Sequence, residues 1–169
     1  MASSPRISKA DWEHQLETLL PLYGHRNWIV VADSAYPAQS KPGIETVVSG
    51  AKQLEVATKV LESVNASRHV RANIYLDQEL DFVAETDAPG VTHHRSQLGE
   101  ILKDTKTIPM LHEQIIAKLD QVSQVFRVLI IKTELTIPYT SVFFELDCAY
   151  WSADAETRMR KAMATGGTS

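Results

Sequence analysis

Tyr23-Gly24-His25-Arg26-Asn27-Trp28-Ile29-Val30-Val31-Ala32-Asp33-Ser34-Ala35-Tyr36-Pro37 decides how this 169-residue chain is read. Its middle, Trp28 to Ala32, is a short apolar, β-branched run between polar residues, the pattern of a buried strand. Gly24 suits a left-handed stop at the end of a preceding helix. Pro37 disfavours helix at Tyr36, so the chain turns away after Asp33. His25 and Asp33 bracket the run, and a strand of that length spans about 20–25 Å. The two can meet only if their loops fold back, or if a neighbouring subunit completes the site.

Working outward, Trp12, Leu16, Leu19, Leu20 and Tyr23 give a helix expected to open at Ser8. Pro21 kinks that helix or ends it near Leu20, with a further turn to Gly24. Downstream, Ile44–Val48 reads as a strand, and Gly50–Val64 carries a helical period at Leu54, Ala57, Val60, Leu61 and Val64. Val70–Leu76 alternates as a strand, and Leu80–Ala84 is either a strand or a helical turn. A loop follows around Pro89-Gly90, then a short helix over Ser96–Lys103 and a strand remnant at Thr107–Met110. Leu111–Gln124 is helical with Leu111, Ile115, Leu119 and Val122 on one face. Phe126–Ile131 is a continuous apolar strand of the kind buried on both faces, and Val142–Leu146 is the last strand. Strands alternating with helices predict an α/β domain of three layers, a mostly parallel sheet with helices on both faces. Residues 1–151 form one domain in this reading, and 152–169 a polar helical extension with a frayed end.

Composition narrows the function. A net charge of −4, without a Lys/Arg run, argues against a nucleic-acid surface. The one cysteine, Cys148, excludes an internal disulfide and any multi-cysteine zinc site. No segment reaches the length of a membrane span, and Met1 to Arg6 lacks a signal-peptide core, so the cytoplasm is the expected location. No P-loop or Rossmann glycine pattern is present.

Gly24-His25, the strand, and then Asp33-Ser34-Ala35-Tyr36-Pro37 resemble the opening motif of the D-ribose pyranase / L-fucose mutarotase family. That family carries Gly-His, a strand, then Asp-Ala-x-Phe/Leu-Pro, so Ser34 and Tyr36 are mild departures. Glu134, Pro138 and Tyr139 follow its second motif, Gly-Glu and then Tyr-Ala/Gly-Asn, with one extra loop residue and Ser141 in place of the asparagine. Serine is shorter and lacks the two-sided recognition of an amide. His112-Glu113-Gln114 matches the His-Glu-Gln of the ribose enzymes, at a longer spacing from Tyr139. The resemblance is sharp only at 24–38 and 134–139.

The resemblance implies a cofactor-independent isomerase that interconverts ring or anomeric forms of a free, ribose- or fucose-like sugar. It assigns His25 as the proton donor, with Tyr139 as a second catalytic group, and Asp33, His112, Tyr139 and Ser141 as sugar-binding residues, with no metal. It also implies a ring-like homo-oligomer with sites near subunit boundaries. Read without the resemblance, His25 is a surface histidine at a helix end, and Asp33 is a carboxylate bonding the amides of its own turn. Tyr139 is then a packed loop tyrosine, and His112 a solvent-facing histidine at a helix start. Two other classes stay open: a non-catalytic sugar or metabolite binder on the same scaffold, and a purely structural ring subunit. His93-His94 read as loop residues, since adjacent side chains on a regular element do not share a face. Glu145 and Asp147 share one face of the last strand and read as surface or interface charge. Cys148 reads as inert.

Overall fold

The computed structural model describes residues 9–166, so the expected cap at Ser8 lies outside the described residues. The first helix, α1 (Lys9–Leu19), gives way at Pro21 to a turn, with the amides of Leu22 and Tyr23 still bonding the Leu19 carbonyl. Strand β1 (Trp28–Ala32) is buried at every position. Then come β2 (Ile44–Val48), α2 (Gln53–Ala66), β3 (Val70–Asp77) and a 3-10 turn at Gln78–Phe82. The second half holds α3 (Val91–Ile101), β4 (Thr107–Met110), α4 (His112–Val122), β5 (Val128–Lys132), β6 (Val142–Cys148) and α5 (Ala153–Ala164).

The six strands form one sheet in the order β2-β5-β1-β6-β3-β4. All run parallel except β6, which is antiparallel to both β1 and β3. The reversal has a simple cause. The loop 133–141 leaves the carboxyl end of β5, passes the end of β1 and enters β6 on the same edge. A parallel return needs a crossover of about a dozen residues or more, usually a helix, and this loop has none. The expected three layers are present. Ile29 and Val31 of β1 face a core with Trp12 and Leu16 of α1, Val56, Val60 and Val64 of α2, and Val91 and Leu98 of α3. Trp28, Val30 and Ala32 face the other way, onto Ile115 and Leu119 of α4. Burying a side chain of this size contributes about 1.5–3 kcal/mol, so the alternation of β1 alone commits both layers.

Several local expectations are corrected. Gly24 is not left-handed; Arg26 is, at φ 76°. The turn closes instead through Asn27, whose Oδ1 accepts from the Gly24 amide at 2.8 Å and whose own amide returns to the Gly24 carbonyl. The α3 helix begins five residues earlier than its apolar pattern suggested, at Val91, because the Glu85 carboxylate accepts from the Gly90 and Thr92 amides and caps it. Of the expected α4 face, Ile115 and Leu119 are buried while Leu111 stays exposed as the cap residue. Helix α5 buries no residue, and among the described residues no helix is long and apolar enough to cross a membrane.

Candidate functional site

The register of the sheet decides which side chains meet. Val31 and Leu76 both pair with Val142 of β6, and Asp77 pairs with Met110 of β4. Within two residues of these pairs, Asp33, Asp77, Ser141 and the start of α4 therefore arrive at the same edge. This is the carboxyl end of the parallel strands, where ligands bind in open α/β sheets.

Asp33 is fixed on both oxygens. Oδ2 accepts from the Ala35 amide at 3.3 Å, an Asx turn, and Oδ1 accepts from the Ser141 hydroxyl at 3.2 Å. The next residue ties the two loops together. The Ser34 amide donates to the Leu135 carbonyl at 2.8 Å and its hydroxyl to the Thr133 carbonyl at 2.9 Å. Across the site, His112 opens α4. Its amide donates to both oxygens of Glu79, at 3.0 and 3.1 Å, so a carboxylate from the 3-10 turn caps the helix start. Its Nδ1 lies 2.9 Å from Oδ1 of Asp77. Asp77 has a side chain only 1 % exposed, and its Oδ2 has no protein partner. Burial raises its carboxyl above the usual range; the hydrogen bond and charge of His112 oppose this, and Glu79 and Asp33 add to it. A carboxylate at Nδ1 favours the tautomer with the proton there and leaves the free lone pair on Nε2.

Tyr139 stands edge-on to His112, with ring centres 5.7 Å apart and planes at 82°. It is the second left-handed residue outside glycine, at φ 58°, in a turn closed by the Thr140 hydroxyl on the Ile137 carbonyl. Such a conformation costs about 1–3 kcal/mol and persists where its surroundings impose it. Beneath the site, the buried Tyr36 ring leans on Phe143, and burial with the nearby Asp77 charge pushes its hydroxyl pKa far up.

Asp33, His112, Tyr139 and Ser141 are thus brought together by one edge. His25 is not among them. It lies at the opposite end of β1, and within one chain no loop folds back to join it to Asp33. Its Nδ1 is 3.0 Å from Asp147, whose other oxygen accepts from Arg71 at 3.0 Å, and its side chain is 58 % exposed. Burial pushes the Asp147 carboxyl up, but hydrogen bonds from Arg71, the Cys148 amide and His25 bring it below the usual range. Glu145, also on this face, accepts from Asn73 at 3.2 Å.

Asp77 is the residue that sequence reasoning missed. Its one signal was a carboxylate directly after the alternating run Val70–Leu76, and only the register shows that it sits beside His112. His94, read as a loop residue, is instead a buried member of α3.

The whole arrangement of sheet and helices matches solved structures. Over 87% of this chain and 98% of theirs, it superposes on Bacillus subtilis RbsD complexed with D-ribose and on a Streptococcus pneumoniae fucose mutarotase in complex with L-fucose. The TM-scores are 0.54 and 0.53, at 17% and 18% identity. The fold is that of the ribose pyranase and fucose mutarotase structures. FucU from Bifidobacterium longum shares the mutarotase fold, with TM-score 0.53 and 14% identity over 79% of this chain and 94% of its own. No family model matches the sequence, and no curated protein matches it significantly. The mutarotase fold is therefore legible in the coordinates at identities where whole-sequence similarity has faded.

Proposed function

We propose that this protein is a monosaccharide mutarotase or pyranase, acting on a free ribose- or fucose-like sugar at the edge that carries Asp33, Asp77, His112, Tyr139 and Ser141. The observation that carries this reading is an imidazole held by a buried carboxylate and met by a tyrosine, on the edge that also carries the Asp33 carboxylate. Opening a cyclic hemiacetal removes a proton from the anomeric hydroxyl and delivers one to the ring oxygen as the C–O bond breaks and the carbonyl forms. Closing the ring reverses each transfer. In this proposal Nε2 of His112 accepts or returns the anomeric proton, and Asp77 is its positioning residue. Asp33 and Ser141 hold sugar hydroxyls, and Tyr139 closes the pocket and shares the proton traffic. General acid–base catalysis of this kind is typically worth ~10²–10⁴ in rate.

His25 keeps a place in the proposal only across a subunit boundary. It sits exposed at the far end of β1, where a second copy in a ring-like homo-oligomer can present it to a neighbour's site as the donor to the ring oxygen. Residues 153–164, none of them fully buried, form an extension beyond the sugar-binding domain. The location proposed for the protein is the cytoplasm.

The test is anomer exchange across a panel of pentoses and hexoses, followed by NMR saturation transfer. Acceleration of at least one free sugar, lost in His112→Ala, is the expected result. Sugar binding without any acceleration would instead support the non-catalytic binder.

A further inference from the structure

On the other face of the sheet, a cavity of about 560 Å³ lies between the starts of α2 and α3 and the loop after β5. Ligand pockets commonly hold about 300–1,000 Å³. The first part of that loop, Glu134 to Ile137, lines this cavity; its later residues Tyr139 and Ser141 belong to the sugar edge. Two of the lining side chains are buried and incompletely bonded. Gln53 is 2% exposed; its Nε2 donates to the Thr140 carbonyl, while its Oε1 has no protein partner. His94 is 5% exposed, and its Nε2 likewise has none. A buried polar atom without a partner is costly, and native interiors keep few of them. Burial first, and the neighbouring His93 second, lower the His94 pKa, which favours a neutral ring with one donor and one acceptor nitrogen.

The lining also indicates what fits. Lys52 supplies one positive charge and Glu55 and Glu134 two negative ones, so nothing here concentrates positive charge for a phosphate or carboxylate. The start of α2 offers backbone amides, because the Lys52 side chain does not cap it. Leu54, Leu135 and Ile137 give an apolar wall. Donors, acceptors and an apolar face together suit a molecule whose hydroxyls both give and accept while its C–H face packs. We infer that this cavity is a second small-molecule site, which takes a neutral polyhydroxylated ligand of the monosaccharide or polyol class through Gln53 and His94. The inference goes beyond the catalytic edge and does not depend on any reaction there.

The test follows the histidine ring resonances of isotope-labelled full-length protein carrying Asp33→Ala and His112→Ala, so that the first site is disabled. D-ribose, L-fucose and ribitol are titrated, with ribose 5-phosphate and glucosamine as charged counterparts. Saturable movement of the His94 resonances with a neutral compound is expected, weakened about five- to tenfold in Gln53→Leu, the value of one lost hydrogen bond. Since Gln53→Leu also breaks the bond to Thr140, Gln97→Trp provides a second variant, filling the cavity from an exposed helix position. It should abolish the response in a folded protein. His94 resonances that no compound moves, that move only with a charged compound, or that still respond in Gln97→Trp would overturn the inference.

Discussion

Opposite edges of the sheet each carry a histidine paired with an aspartate at nearly the same distance, and the two pairs differ in almost everything else. His112 and Asp77 are 2.9 Å apart with the carboxylate 1 % exposed; His25 and Asp147 are 3.0 Å apart with 58 % and 27 % exposure. Among the described residues Asp77 pairs with His112 alone, while Asp147 is shared between His25 and Arg71. In the buried pair, low dielectric gives the carboxylate strong control over the ring's proton and orientation. In the exposed pair, water and salt screen the attraction, which is worth about 0–1 kcal/mol. Equal distance therefore does not mean equal consequence, and burial marks the catalytic candidate.

The comparison breaks most readily at the buried pair. His112→Ala is expected to lower catalysed anomer exchange by about 10²–10⁴, and Asp77→Asn to lower the turnover rate far more than sugar affinity. Retained turnover in Asp77→Asn, with the His112 tautomer unchanged by nitrogen NMR, would end the positioning role. Next in size, Asp33→Ala removes hydrogen bonds to a charged group, each worth about 1.5–3 kcal/mol. Calorimetry should show sugar binding weakened by roughly 10- to 100-fold. A sharper version mixes two variants. If His25 serves a neighbour's site, His25→Ala and His112→Ala are each impaired alone, and mixed subunits regain part of the lost exchange. If His25 stays at its own end, His25→Ala keeps its activity and the mixture shows no more than the sum of the two variants measured separately.

The smallest effects concern stability, and they have opposite signs. The Asp77 carboxyl is raised in the folded state, so its contribution is fully present in acid and is lost as the pH climbs above 3.8 through the folded value. The Asp147 carboxyl is lowered, so its contribution is present above 3.8 and disappears as the pH falls through the folded value. Urea unfolding should show Asp77→Asn gaining on the parent protein as the pH rises past 3.8. Asp147→Asn should lose by at most about 1 kcal/mol near neutrality. The reverse order would show that exposure had been misjudged as the deciding variable.

Much of the candidate site was visible in single residues. Asp33 follows an apolar run, His112 starts an amphipathic helix and Tyr139 sits in a proline turn; each is a local pattern that short-range sterics and periodicity produce. The limit shows at Asp77 and His25. Nothing within a few residues of Asp77 reveals that β4 lies beside β3 with Asp77 opposite Met110. Similarly, the exit of His25 to the far edge depends on the fold of β1, whose amino end pairs with Glu145 and whose carboxyl end pairs with Val142.

By itself, then, the sequence determined the alternating elements, the burial of the strand Trp28–Ala32, and the residue types able to move protons. Those follow from the hydrophobic period and from backbone sterics, which act over a few residues. The tertiary structure alone decided the antiparallel course of β6, the burial of Asp77 against His112 and the separation of the two histidine pairs. Each depends on strand order and register, set by contacts between segments far apart in the chain and only weakly encoded in any one of them.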